Sequence, residues 1–203
     1  MKKTAIAAAL FVTGAFGAAH AFDGDPEAGQ ELSSTCVACH QEDGNSSNPE
    51  YPKIAGQHPG YMYKQLSEFK SGEREDATMA GMVANLSEQD MRDLAAYYAD
   101  QDVELGVADE ELVDLGERIY RNGNPETGVA ACMACHGPAG EGNAPARFPA
   151  LNGQHADYTA LQLENFGDGV RANDPGRMMR DVAARLSEEE IEAVASYIQG
   201  LTR

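Results

Sequence analysis

Two short segments of the sequence each place two cysteines and a histidine within one turn of chain. They read Cys36-Val37-Ala38-Cys39-His40 and Cys132-Met133-Ala134-Cys135-His136. The spacing C-x-x-C-H is typical of covalent attachment of c-type haem. Two thiols three residues apart on a helical turn can add to the two vinyl groups of one haem, and the next histidine then reaches the iron. The pattern therefore predicts two haem c groups, with His40 on one iron and His136 on the other.

Two other uses of paired cysteines fit the sequence less well. Zinc sites built from two such pairs usually have about 15–20 residues between the pairs, whereas 92 residues separate Cys39 from Cys132. A thioredoxin-like disulfide accompanies a βαβ pattern and gives the following histidine no role. The sequence contains no good alternating strand pattern, and every cysteine belongs to one of the two motifs.

The two motifs belong to an internal repeat. Residues 51–58 match residues 148–155 at an offset of 97, and the cysteine motifs match at an offset of 96. Because the features follow in the same order, the chain consists of two copies of a unit of about 90 residues. Units of this size with long loops bury little apolar surface. A large apolar group inside each unit would complete its core.

The repeat also selects a second ligand for each iron. A methionine opposite the histidine raises the reduction potential of a haem, and only Met79 and Met179 are methionine in both copies. Each lies eight residues before a serine that precedes the last helix, in a segment predicted to be a loop. We therefore predict Met79 and Met179 as axial ligands. The other internal methionines are expected to pack in the core: Met62, Met82, Met91, Met133 and Met178.

Two further matched pairs have open roles. Pro52 and Pro149 follow the histidines by 12 and 13 residues, where a proline carbonyl can accept the other N–H of a metal-bound histidine. A plain loop turn explains these prolines equally well. His58 and His155 occupy matched Gly-Gln-His sites. Iron ligation by them would leave the paired methionines unexplained, so we predict histidines that make loop hydrogen bonds.

The surrounding sequence predicts helices. Ser87 and Ser187 are each followed three residues later by an acid, in the pattern of a capping box. Apolar residues at helical spacing come next in both halves. Shorter helices are predicted at 26–33 and 110–120, before the cysteine pairs. The sequence thus predicts an all-α fold, with three to five helices and long loops in each half.

The N-terminus has the pattern of a bacterial secretory signal. Lys2 and Lys3 precede a run of small and apolar residues, and 19–21 is a small-x-small cleavage site. The run is short and rich in Ala and Gly, which favours cleavage over an anchor helix. We predict a signal peptide at 1–21, a first domain at 22–101, a linker at 102–111 and a second domain at 112–203. The mature protein is then expected in the periplasm.

The net charge is strongly negative, at −18 with 33 acids against 15 bases. This charge argues against nonspecific binding to nucleic acid or to an anionic membrane surface. Both halves are acidic, with −12 for residues 22–105 and −8 for residues 106–203. An acidic surface suits docking to a basic patch of a partner, although it also serves solubility alone.

The whole mature chain resembles the dihaem cytochrome c4 family. The resemblance rests on the two C-x-x-C-H motifs in similar halves, on the (Tyr/Phe)-Pro-x-x-x-Gly-Gln stretches, and on the C-terminal residues 196–201. It implies two tandem class I cytochrome c domains, with His40 and Met79 on one iron and His136 and Met179 on the other. Members of the family tend to have one much less acidic half, and this chain departs from that pattern.

The resemblance also implies a function. The family is periplasmic and passes electrons from a quinol-oxidising complex to a terminal oxidase, which predicts respiratory partners in membrane-bound complexes and no enzymatic activity. One alternative is the cytochrome subunit of a dehydrogenase, such as flavocytochrome sulfide dehydrogenase, because such subunits share the dihaem design. A dihaem peroxidase is a further alternative, and it requires an open iron position with an acid–base group nearby.

Overall fold

The computed structural model describes residues 22–202, so the predicted signal peptide lies outside the described residues. The first half contains α1 (Pro26–Leu32), α2 (Val37–His40), α3 (Pro59–Ser71), α4 (Ala77–Val83) and α5 (Glu88–Ala99). The second half contains α6 (Val113–Asn122), α7 (Met133–His136), α8 (Ala156–Gly167), α9 (Met178–Ala183) and α10 (Glu188–Gln199).

The predicted all-α fold is confirmed. Within residues 22–202 the backbone forms no strand, and the β-type pairing there consists of two isolated bridges, Asn124–Val129 and Asn143–Phe148. Short 3-10 turns at Ser33–Thr35 and Pro175–Arg177 follow α1 and precede α9. None of the helices in this range is long and apolar enough to cross a membrane.

The first and last helices of each half cross at a glycine. A Cβ added to Gly29 of α1 would lie 2.1 Å from the carbonyl oxygen of Asp93 in α5. The same addition to Gly116 of α6 would lie 2.2 Å from the carbonyl oxygen of Ala193 in α10. The absence of a side chain therefore permits a close crossing that closes each half around its core.

The last helix of each half begins at the predicted capping box. The side chains of Ser87 and Asp90 each accept a hydrogen bond from the other residue's backbone N–H, and Ser187 and Glu190 do the same. The apolar positions predicted from helical spacing are buried. They are Met91, Leu94, Ala95 and Tyr98 in α5, and Ile191, Val194, Ala195 and Ile198 in α10.

Two elements differ from the prediction. The segments expected to be loops around Met79 and Met179 are the short helices α4 and α9. Asp76 starts α4, because its side chain accepts a hydrogen bond from the Met79 N–H at 2.8 Å. The helix expected at 110–120 begins later and ends later, at Val113–Asn122.

The two halves meet in a reciprocal contact. The side-chain amide of Gln57 donates to the Ala150 carbonyl and accepts from the Ala150 N–H, both at 3.0 Å. Gln154 makes the same pair of bonds with Lys53, at 2.8 and 2.9 Å. Both pairs are related by the repeat offset of 97 residues, so the same surface of each half is used, as across a two-fold axis.

The linker between the halves is bound to both of them. The Asn45 side chain in the first half accepts from the Glu104 N–H at 2.8 Å. On the other side, the Gly106 N–H donates to the Gln199 carbonyl at 3.0 Å, and the Gln199 side chain donates to the Val107 carbonyl at 2.9 Å. The linker backbone is therefore fixed along its length by residues of α10 and of the first half.

Candidate haem sites

The first C-x-x-C-H motif forms a single helical turn. Cys36 precedes α2, Cys39 lies within it, and His40 is its last residue. Both thiols are free and partly exposed, whereas His40 is only 8% exposed. The turn therefore places two thiols near the surface and one imidazole in the interior.

The orientation of His40 is fixed by a proline. Its Nδ1 lies 2.9 Å from the Pro52 carbonyl oxygen, and because a carbonyl can only accept, Nδ1 carries the proton and donates. Burial lowers the pKa of His40, and the Pro52 hydrogen bond offsets this effect only in part. The ring is thus neutral, with Nε2 left as the metal-binding nitrogen. The interpretation of Pro52 as the histidine's partner is confirmed.

The second motif repeats this arrangement. His136 is the last residue of α7 and is 7% exposed. Its Nδ1 donates to the Pro149 carbonyl at 2.9 Å, and burial again lowers its pKa. An aromatic side chain also lies beside each histidine. The ring centroids of Tyr51 and His40 are 6.4 Å apart, and those of Phe148 and His136 are 6.2 Å apart.

The environment of the thiols does not favour a zinc site. All four cysteines are free. Burial raises the pKa of the Cys36 thiol, and it raises that of Cys132 to about 11. Zinc needs thiolates, and residues 22–202 contain no group of three or more Cys, His, Asp or Glu side chains placed to hold a metal ion.

The two sites together fit haem c. Each supplies a pair of thiols on one turn and a neutral imidazole whose second nitrogen is already bound. Cys36 also borders the apolar cluster of the first half, and Cys132 borders that of the second. A flat apolar group carried by these thiols would therefore lie against each core.

The structure places the two selected methionines in matching helices. Met79 is the third residue of α4 and borders the same apolar cluster as Cys36. Met179 is the second residue of α9 and is partly buried, while the described contacts of the second cluster include Met133 and not Met179. A buried ion pair fixes the start of α9, with Arg180 Nε 2.6 Å from Asp174 Oδ1.

The other methionines do not all pack as predicted. Met62 and Met91 are 7% and 3% exposed and belong to the first core, and Met133 packs against the second. For Met82 and Met178 the prediction of core packing is wrong, because they are 42% and 44% exposed. Both lie on the same short helices as the selected methionines.

The two matched histidines have different environments. His155 Nε2 donates to the Ser46 carbonyl across the contact between the halves, at 2.7 Å. The prediction of a hydrogen-bonding histidine is therefore confirmed for His155. It is wrong for His58, whose buried Nε2 has no hydrogen-bond partner among the described residues.

The sequence reasoning missed one set of residues. Arg74 and Arg171 join the halves through side chains of both. The repeat could have identified these arginines, because Arg74 and Arg171 are related by an offset of 97 residues. The same offset relates Tyr61 to Tyr158 and Gln65 to Gln162.

Comparison with known proteins agrees with this fold. The family model described as cytochrome c matches residues 26–100 and 113–202. Cytochrome c4 from Thiocapsa roseopersicina is 54% identical over 182 residues, which cover 89% of this chain and 94% of the relative. The crystal structure of reduced recombinant cytochrome c4 from Pseudomonas stutzeri has a TM-score of 0.86 at 48% identity, covering 88% of this chain and 99% of that one.

A more distant relative is named as an electron acceptor. A thiosulfate dehydrogenase electron acceptor from Stutzerimonas stutzeri (strain A1501) is 37% identical over 167 residues. The match covers 80% of this chain and 76% of that protein.

Proposed function

The chain is a dihaem electron-transfer cytochrome of the cytochrome c4 family, and we propose that it carries electrons from a quinol-oxidising complex to a terminal oxidase. Two haem c groups are covalently attached, one in each cytochrome c domain. The observation that supports the carrier role most directly is the pair of buried neutral histidines, each bound through Nδ1 to a proline carbonyl. That arrangement holds an imidazole rigidly on an iron that changes only its charge.

Each haem supplies one iron that accepts and gives back a single electron. In this proposal His40 and His136 would hold the irons through Nε2, and Met79 and Met179 would supply the second protein ligand of each iron. The thioether ligand favours the reduced iron and so raises the potential. Two protein ligands on each iron would leave no site for a substrate. Such irons suit a carrier and not an enzyme such as a peroxidase. The haems are attached through Cys36, Cys39, Cys132 and Cys135.

The proposed place of work is the periplasm. Export rests on the signal-like residues 1–21, and the proposed division of the mature chain is 22–101, a linker at 102–111, and 112–203. The partners are then respiratory complexes that present redox groups on the outer side of the membrane. The acidic surface of both halves supports docking to a basic patch on such a partner.

A second candidate keeps the carrier role and changes the donor. The relative from Stutzerimonas stutzeri is an acceptor for thiosulfate dehydrogenase, so a sulfur-oxidising dehydrogenase is an alternative source of electrons. The described contacts favour neither donor, and a direct comparison separates them. The oxidised protein would be mixed with quinol-oxidising membranes or with thiosulfate dehydrogenase and thiosulfate, and the faster reduction identifies the donor.

A spectroelectrochemical titration tests the carrier proposal itself. We expect two high-potential reduction steps, each removing its share of the methionine–iron charge-transfer band of the oxidised protein. A haem of low potential or without that band would contradict the assignment of Met79 or Met179. Rapid turnover of hydrogen peroxide by the same sample would instead support the peroxidase alternative.

A further inference from the structure

Two arginines from opposite halves share the same two acceptors. Arg74 donates to Gln65 Oε1 at 2.8 Å and to Gln162 Oε1 at 3.0 Å. Arg171 donates to Gln162 Oε1 at 2.8 Å and to Gln65 Oε1 at 3.0 Å. The two guanidinium groups are therefore bridged by two neutral oxygens, one from each half, on the axis that relates the halves.

Each arginine also binds a tyrosine of the other half. Arg74 Nη2 donates to the Tyr158 hydroxyl at 2.9 Å, and Arg171 Nη2 donates to the Tyr61 hydroxyl at 3.0 Å. Because Tyr61 and Tyr158 are also related by the repeat offset, the two clamps are equivalent. The charge of each arginine is therefore bound by side chains of both halves.

Each arginine stacks on a buried aromatic ring of its own half. The Arg74 guanidinium stacks 4.5 Å from the centre of the Phe69 ring, and Phe69 belongs to the apolar cluster bordered by Cys36 and Met79. Arg171, which is 9% exposed, stacks on the buried Phe166 at the same distance. Phe69 thus lies between Arg74 and the apolar cluster of the first half, and Phe166 is the buried ring at the matching position of the second half.

The hydrogen-bond partners of the pair carry no charge, and the carboxylate of Asp76 also attracts Arg74. The glutamine and tyrosine acceptors are neutral, and the buried carboxylate of Glu68 is bound by Lys64 at 2.6 Å and by Asn173 at 2.6 Å. Burial works to raise the pKa of Tyr61, but Arg171 and Arg74 outweigh it and the pKa lies below its ordinary value. The centre therefore has a positive potential that a neighbouring group senses.

We propose that Arg74 and Arg171 form one cationic centre, shared by both halves, that raises the reduction potentials of both haem irons together. This inference rests on the proposed carrier function. Reduction converts Fe³⁺ to Fe²⁺ by one electron from the donor, and a fixed positive charge in a poorly solvated region favours the less positive iron. Because the centre contacts both halves, it favours reduction on both sides and does not direct the electron toward one of them.

The test compares charge-removing and charge-keeping variants by spectroelectrochemical titration. Arg74→Gln removes the charge, and we expect both midpoint potentials to fall. Arg74→Lys keeps the charge but loses the fork of donors, and we expect both potentials to stay near those of the wild type. The matched control is Arg118→Gln, which removes an exposed charge on α6 that water and salt already screen, so neither potential should move.

Three results would overturn the proposal: no shift in Arg74→Gln, a shift of one haem only, or equal shifts in Arg74→Gln and Arg74→Lys. The last result would mean that the arginine acts only through the packing of the halves. Arg171→Gln is the symmetric second variant and must give the same double shift, which keeps the test decisive if Arg74→Gln folds poorly. A wild type without two methionine–iron bands would refute the axial ligands, whereas unmoved potentials in variants with both bands would refute the cationic centre alone.

Discussion

The short helices α4 and α9 each carry two methionines with different exposure. Met79 and Met179 are partly buried, whereas Met82 and Met178 are 42% and 44% exposed. An exposed thioether has no access to an iron held inside the domain. Each proposed ligand therefore has a natural control on its own helix.

We expect Met79→Ala to abolish about half of the methionine–iron charge-transfer band and to lower one of the two midpoint potentials, because the iron loses its thioether. Met179→Ala should affect the other half of the band and the other potential. Absorption spectra and redox titration measure both effects. Met82→Ala and Met178→Ala serve as controls and should leave band and potentials unchanged. A full band in Met79→Ala would disprove its assignment.

Matching the two copies of the repeat predicts residues well where both halves need the same chemistry. Pro52 and Pro149 bind equivalent histidine nitrogens at the same distance of 2.9 Å. Matching the copies gives the wrong result for His58. Its counterpart His155 donates to the Ser46 carbonyl of the first half, whereas His58 Nε2 has no hydrogen-bond partner among the described residues. The corresponding loop of the second half contains an Asn143–Phe148 bridge that has no counterpart among the described residues of the first half. Local loop pairing of this kind is not visible in the spacing of residues.

At the scale of elements, α10 begins at a carboxylate that also binds a loop. Glu190 accepts from the Ser187 N–H at 2.9 Å and from the Asn124 side chain at 2.6 Å. Burial works to raise the pKa of Glu190, but the hydrogen bonds from Ser187 and Asn124 outweigh it, so the pKa lies below its usual value of 4.5. The ionised form is therefore favoured by folding, and its stabilisation is present above the usual pKa and lost as the pH falls through the lowered one.

Glu190→Gln keeps an oxygen that can accept the Ser187 N–H but removes the charge, and it should lower the free energy of unfolding by about 1 kcal/mol at pH 7, the size of a negative charge near a helix N-terminus. The difference from the wild type should shrink as the pH falls below 4.5, where the unfolded chain begins to bind the proton, and it should be lost as the pH falls through the lowered pKa of the folded carboxylate. Denaturant titrations at a series of pH values measure this. Glu192→Gln, an exposed change on the same helix, is the control. A difference that stays constant with pH would contradict the role of the ionised carboxylate.

The helix crossing at Gly116 makes a second prediction for an element. Gly116→Ala should destabilise the second half by about 1–3 kcal/mol, because its Cβ would have to displace α10. The matched control is Gly60→Ala in α3, where a Cβ would meet no atom within 4 Å and where alanine is favoured by up to about 1 kcal/mol. Thermal unfolding of both variants provides the comparison, and equal stability of the two would disprove the tight crossing.

The capped helices were predictable and the short ones were not. Ser187 and Glu190 combine a cap with apolar spacing, so their helix can be read from the sequence. The seven residues of α4 are too few to show a period, and the helix depends on the cap by Asp76 and on packing against α3. Helices of this length are marginal by themselves, which is why the segment resembles a loop in the sequence.

At the scale of the whole molecule, the negative charge of both halves predicts association that depends on salt. We expect electron exchange with a terminal oxidase to slow steeply as ionic strength rises, because screening weakens long-range attraction to a basic patch. Oxidase turnover measured over a range of salt concentrations tests this. Reduction by a small neutral reductant is the control and should change little. A flat response with the oxidase would mean that the charge serves solubility only.

The repeat predicts that two similar halves exist, but not how they meet. The reciprocal bonds of Gln57 and Gln154 lie in the very stretches that define the repeat. A motif that occurs in both copies can make contacts inside each half, or it can make contacts between the halves. Only the folded chain shows that these amides bind backbone groups of the opposite half, because that depends on which surface of each half faces the other.

The bound linker has a consequence for the lifetime of the protein. Proteases cut segments that can leave the surface and extend, and the backbone around Glu104, Gly106 and Val107 is tied by hydrogen bonds to both halves. Cleavage there would first require those bonds to open. We therefore expect proteases to cut this connection slowly, so that half-molecules with a single haem do not accumulate.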